Sequence, residues 1–153
     1  YILWKLLLPI ILVVVGITLI LKNITNHELN KKIKNASSKI NKDNSYYATF
    51  SSQDIKLKKE KFSGTELCAV FGGIKFDLDK AIIDNDVLID ASSIFGGIEI
   101  YVPDDVSVVV KSTSIFGGVD NKCSSDKNSK KTIYVNAICL FGGIEIKWKT
   151  HKN

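Results

Sequence analysis

From about residue 46 onward the chain alternates between apolar and polar positions. Ile74, Phe76 and Leu78 are interleaved with Lys75, Asp77 and Asp79; Ile98, Ile100 and Val102 with Glu99 and Tyr101; Ile144, Ile146 and Trp148 with Glu145, Lys147 and Lys149. Period two marks strands with one buried face. Further strands are predicted at Val87 to Asp90, Val106 to Lys111 and Thr132 to Asn136, separated by turn chemistry at Asp84-Asn85-Asp86, Pro103-Asp104-Asp105 and Ser125-Asp126-Lys127-Asn128. No helical period interrupts them. The start of the chain reads differently: Ile2 to Leu21 is an apolar run whose only charge is Lys5. At about 1.5 Å per residue a helix of this length reaches about 30 Å, one bilayer crossing. Tyr1, Trp4 and Lys5 suit one interface and Lys22 the other. A signal peptide is the alternative, but its apolar core is shorter and LILKNITN has no small-residue cleavage site.

The strands carry an internal repeat. Phe-Gly-Gly occurs as Phe71-Gly72-Gly73, Phe95-Gly96-Gly97, Phe116-Gly117-Gly118 and Phe141-Gly142-Gly143, at intervals of 24, 21 and 25 residues. A degenerate copy, Thr49-Phe50-Ser51-Ser52-Gln53, precedes Phe71 by 21 residues. Eight of the ten glycines lie in these motifs, so glycine here marks a position rather than flexibility. A unit this short cannot bury its own face, whereas stacked units share a continuous core. The expected fold is therefore all-β, a single-stranded β-solenoid or β-roll, preceded by one transmembrane helix; a Greek-key sandwich would not repeat one motif at every turn. The divisions are 1–23 (membrane helix), 24–45 (polar linker), 46–150 (β-solenoid) and 151–153 (tail).

The glycine pair is expected to form a corner where no Cβ fits. If the strand ran straight through it, every Phe would point outward. We expect instead a corner that resets the phase and turns Phe71, Phe95, Phe116 and Phe141 inward; the alternative is an outward aromatic ladder that binds a partner strand or lipid. Four residues after each Phe stand Lys75, Glu99, Asp120 and Glu145, which sequential stacking aligns in a charged column. Lys75 would pair with Glu99, and Asp120 would repel Glu145, so the column is a candidate surface for cations or a basic partner.

Charge separates the segments. Residues 1–23 hold two Lys and no acid, 24–62 nine Lys and four acids, and 63–153 ten Lys and twelve acids. The net charge of +5 thus comes from the anchor and the region after it, and the β part is mildly acidic. There is no Arg, which removes the usual bidentate contacts to phosphate and guanine and argues against nucleic acid as a partner. Lys22, Lys31, Lys32, Lys34, Lys39 and Lys42 follow the apolar run, so the positive-inside rule places the C-terminal part in the cytoplasm. The same lysines could rest on anionic lipid. Cys68, Cys123 and Cys139 form neither a C-x-x-C pair nor an even disulfide set; they fit a reducing compartment and small buried side chains.

The stretches FGGIKFDLDKA (Phe71 to Ala81) and FGGIEIYVPDDVSVVV (Phe95 to Val110), following an apolar span and a polar linker, resemble the C-terminal region of the LiaF-like family of cell-wall-active antibiotic response proteins. The resemblance covers about Tyr46 to Lys149. It implies a membrane-bound accessory regulator that restrains the sensor histidine kinase of an envelope-stress two-component system. Members usually carry several membrane helices, so the apolar run resembles the last helix of such a region. The chain begins at Tyr1 and has no Met, which we read as a missing upstream part.

Catalytic chemistry has few candidates. His27 lies in the linker and His151 in the tail, and there is no G-x-S-x-G, phosphate loop or H-E-x-x-H motif. Asp77/Asp79, Asp84/Asp86 and Asp104/Asp105 lack the EF-hand and calcium β-roll patterns and read as turn and solvated positions. No catalytic residue, cofactor or metal ligand is assigned. The expected function is a non-enzymatic membrane regulator whose β domain binds a histidine kinase or another envelope-stress protein; the alternative is a membrane-tethered solenoid scaffold that self-assembles like bactofilins, with Lys147, Lys149 and Lys152 guarding a terminal edge.

Overall fold

The structure is a computed structural model and describes residues 2–23, 45–123 and 129–149, with helix side chains described over 4–16. Residues 24–44 of the predicted 24–45 linker, the predicted turn at Ser125 to Asn128, His27 and His151 lie outside the described residues, while Ser45 already belongs to the first strand. Among the described residues one helix, α1 (Ile2–Asn23), precedes seven strands: β1 (Ser45–Thr49), β2 (Ser52–Lys61), β3 (Thr65–Val70), β4 (Gly73–Ile82), β5 (Val87–Val102), β6 (Ser107–Asn121) and β7 (Thr132–Trp148). Pro9 sits inside α1, and the apolar side chains described from Trp4 to Val15 are exposed. Among the described residues no helix is long and apolar enough to cross a membrane.

The strands build a parallel β-solenoid. Every pairing is parallel, and the repeat motifs fall in register: Gly73 opposite Gly97, Ile98 opposite Ile144, Phe116 opposite Phe141. Each coil has two arms meeting at the Phe-Gly-Gly corner. The first arms are β1, β3 and the leading halves of β5, β7 and β6; the second arms are β2, β4 and the trailing halves of the same three strands. In β5, β6 and β7 the strand continues through the corner, while in the first two coils Phe50 (φ 51°) and Phe71 (φ 53°) take left-handed backbone to make it. The degenerate copy is a true member, since Ser52 pairs with Gly73 and Gln53 with Ile74.

The coils do not stack in chain order. β7 pairs with β5 on one side and β6 on the other, so the last coil is inserted between the third and the fourth. Lys147 and Lys149 consequently lie on an interior coil and guard no edge, correcting the expectation from sequence.

Between the arms lies one core. Ile74, Ile98 and Ile144 form one buried ladder and Phe76, Ile100 and Ile146 the next, each fully buried aliphatic contributing about 1.5–3 kcal/mol. Toward the corner the inward side chains shrink. Along β5 they run Ile89, Ala91, Ser93; along β7, Val135, Ala137, Cys139. The core is a wedge whose thin edge is the Phe-Gly-Gly corner.

Candidate functional site

That wedge decides where the phenylalanines go. The corner does reset the side-chain phase: Ser93 points inward, Ile94 and Phe95 both fall on the convex side, and Ile98 is inward again. The reset leaves Phe95 outside, because a phenyl ring has no room where the inward positions are already Ala, Ser or Cys. Phe71, Phe95, Phe116 and Phe141 are all exposed, which overturns the inward placement expected from sequence.

Outside, the rings form a continuous stack. Centroid distances are 5.0 Å from Phe50 to Phe71, 4.7 Å from Phe71 to Phe95, 4.8 Å from Phe95 to Phe141 and 5.1 Å from Phe141 to Phe116, with planes within 10° of parallel. The spacing is that of neighbouring strands, about 4.7–4.9 Å, so in-register parallel pairing dictates the stack. Stacking also reduces the cost of exposure. The three inner rings are 44% to 49% exposed, against 77% for Phe50 and 67% for Phe116 at the ends. The result is a strip of aromatic edges roughly 20 Å long at that strand spacing.

The two glycines of each motif have different reasons to be glycine. A Cβ on Gly96 would lie 2.0 Å from the carbonyl oxygen of Gly72, and one on Gly142 2.0 Å from that of Gly96; Gly72 and Gly117 are blocked in the same way. The first glycine lets the coils close on one another, and Gly97 N–H donates to the Gly72 carbonyl at 3.1 Å. Ser93 Oγ caps the corner from inside, donating to the Gly96 carbonyl at 2.9 Å. At the second glycine nothing is in the way. A Cβ on Gly97 or Gly143 meets its nearest atom at 3.8 Å or more, and Gly118 has open space. These second glycines face outward and line a shallow cleft, of about 400 Å3, together with Glu99, Asp120 and Glu145.

The charged column exists, in an altered order. Asp54, Lys75, Glu99, Glu145 and Asp120 stand side by side across the second arms. Lys75 does neighbour Glu99, but the inserted β7 makes three successive acids, Glu99, Glu145 and Asp120. Two lysines of the same chain answer them. Lys147 Nζ is 2.6 Å from Glu145 and 3.6 Å from Glu99, and Lys122 contacts Glu145 directly and lies 3.6 Å from Asp120. Glu145, hydrogen-bonded by Lys122 and then Lys147, has its carboxyl held down to about 2. Lys147 is raised in turn, chiefly by Glu145. Tyr101 lies between Lys75 and Lys147, whose ammonium groups sit 5.2 Å and 5.0 Å from its ring centroid, and its hydroxyl donates to Glu99 at 2.8 Å.

One column further along, Asp77 is buried yet charged. Burial alone would raise its pKa; the Lys149 ammonium at 2.5 Å and the Asp79 N–H at 3.1 Å reverse the sign and lower it. Sequence reading missed Phe50 as a ring of the ladder and Lys122, Lys147 and Tyr101 as members of the charged face. The period-two rule could have found Tyr101 and Lys147, which stand two residues beyond Glu99 and Glu145. Among the described residues no group of three or more His, Cys, Asp or Glu is placed to hold a metal ion.

A parallel solenoid with an outward Phe ladder and a self-neutralised charged face describes the class of protein. Residues 49–147 match the model of the family described as cell wall-active antibiotics response LiaF, C-terminal, and this chain belongs to that LiaF-like family. Comparison with curated proteins gives no match. Among solved structures the chain is similar to a putative cell adhesion protein from Clostridium sporogenes ATCC 15579, at 21% identity and a TM-score of 0.48, over 69% of this chain and 55% of that one. The chain thus matches little more than half the length of that protein.

Proposed function

We propose that this chain is a membrane-tethered, non-enzymatic regulator of the response to cell-wall-active antibiotics, and that its aromatic ladder and adjoining charged column dock a membrane sensor histidine kinase. The family supports the role in the antibiotic response. The observation that favours a docking role is the ladder: five phenylalanines exposed in one line, next to Lys75, Glu99, Glu145 and Asp120. Aromatic strips of this kind mark interaction surfaces rather than ordinary solvated faces. The apolar run Ile2 to Leu21 would serve as the tether, and the lysines that follow it favour a cytoplasmic β domain.

The test is co-purification from membranes together with a stress-promoter reporter. The native chain should capture a sensor kinase, its deletion should raise reporter output, and Phe71→Ser with Phe95→Ser should fail in both while retaining strand circular dichroism. No captured kinase and no change in reporter output would refute the reading. A topology reporter fused after Asn153 checks the side of the membrane.

A further inference from the structure

The two ends of the solenoid differ in how their edges are guarded. At one end β2 carries Lys56, Lys58, Lys59 and Lys61, two breaks of register and a left-handed Lys59 (φ 56°). Charge and irregularity of this sort blunt an edge strand against further pairing. At the other end β6 pairs with β7 on one side, and no described strand pairs its other side. Its fifteen residues run in unbroken register and hold two charges, Lys111 and Asp120. The end ring of the ladder, Phe116, belongs to this strand.

We propose that β6 pairs with β6 of a second copy of this chain, antiparallel, about a two-fold axis through the Phe116 corner. A strand edge meets its own copy under a two-fold axis, with each residue i facing a residue j and each j facing an i. Because β6 is bent, an axis bisecting the bend lays the first arm of one copy along the second arm of the other. Side-chain direction then selects the register. Register with β7 makes Val109, Lys111, Thr113 and Ile115 outward in the first arm and Phe116, Gly118 and Asp120 outward in the second. Outward meets outward, corner on corner, when the axis passes between Ile115 and Phe116.

Lys111 of each copy falls opposite Asp120 of the other, so the two charges of the strand meet their complements twice. Thr113 faces Gly118, and Ile115 faces Phe116, which carries the apolar strip across the junction. The inward residues there, Ser112, Ser114 and Gly117, are small enough for the two backbones to approach hydrogen-bonding distance. The assembly is closed, because its outer ends carry the guarded β2 and the five-residue β1, too short to be a good template for further pairing, so it yields a dimer and no filament.

The experiment uses the full chain in nanodiscs. With Cys68→Ser as background, Thr113→Cys combined with Gly118→Cys should form a covalent dimer on mild oxidation, and neither cysteine alone should do so. Gly118 has open space for the added atoms. In sedimentation, Lys111→Asp should weaken association about tenfold, since two like-charge cross-strand pairs replace two opposite ones, and adding Asp120→Lys should restore it. A chain monomeric at all concentrations, a dimer that the Thr113/Gly118 pair does not trap, capture of a foreign strand in its place, or a Lys111→Asp defect that Asp120→Lys leaves unrepaired would each overturn the proposal.

Discussion

The ring of Phe95 lies 4.8 Å from that of Phe141, their planes 2° from parallel, although Phe116 stands between them in the chain. The same leap holds for the backbone from Val87 opposite Ile133 to Val102 opposite Trp148. A coil made last occupies a place next to the third. This order brings Glu99 beside Glu145, places Lys147 between them, and leaves β6 rather than β7 at the end of the stack.

The glycine pair should respond asymmetrically to alanine. Gly96→Ala forces a methyl onto the Gly72 carbonyl at 2.0 Å, backbone against backbone, and should cost about 1–3 kcal/mol or more as overpacking. Gly97→Ala meets nothing nearer than 3.8 Å and should change stability by under about 1 kcal/mol. Urea unfolding midpoints of the two variants compare them directly; equal losses would mean that the coils do not approach so closely.

Phe95 and Ile100 separate ladder from core. Phe95→Ala removes two stacked contacts, each worth about 0.5–1.5 kcal/mol, from a ring already half exposed. Ile100→Ala opens a cavity in the fully buried ladder and should cost about 2–5 kcal/mol. Thermal melts that rank Phe95→Ala as the more damaging would return that ring to the interior.

Acid should destabilise the solenoid through Asp77 and Glu145. Both carboxyls sit below their ordinary values when folded, so their contribution is complete above the unfolded pKa and is lost as pH falls toward the folded one. For Glu145 the window runs from about 4.5 down to about 2. The melting temperature should therefore fall steadily across this range, and Asp77→Asn should lower it at pH 7 while flattening its dependence below pH 4.5. A native curve flat to pH 2 would contradict the pairing with Lys122, Lys147 and Lys149.

The thiols should divide by burial. Cys123 and Cys139 are buried, and desolvation pushes the Cys123 thiol up to about 11; Cys68 is half-buried and raised by burial and by Glu66. A thiol reagent at pH 8 should label Cys68 slowly and the other two only with unfolding. Prompt reaction of Cys123 would show its cover to be open.

Much of this architecture is legible in the residues. Period two marks the strands, the recurring Phe-Gly-Gly marks the corners, and Phe50 announces a further coil without glycine. The order of coils was hidden because each corner looks alike to its neighbours, so local pattern cannot say which coil touches which. Two clues were present nonetheless: Phe95 to Ile100 and Phe141 to Ile146 share the string FGGIEI and are neighbours, while FGGVDN puts polar Asn121 at a core position, as an end coil can. The direction of the rings was misread for want of the taper Ile89, Ala91, Ser93, which leaves a phenyl no interior place. The charged face was half legible: its column was found, but its neutralising lysines depend on which coils adjoin.

The inserted coil also bears on synthesis. As the chain leaves the ribosome, β3 can add to β1, β4 to β2 and β5 to both β3 and β4, each finding a finished neighbour. β6 then emerges with its future partner still unmade, and has a parallel neighbour only when β7 arrives to pair with it and β5 together. A ribosome that stops near residue 131 releases a chain with an unmated β6, so the stack of coils closes only once β7 has been made.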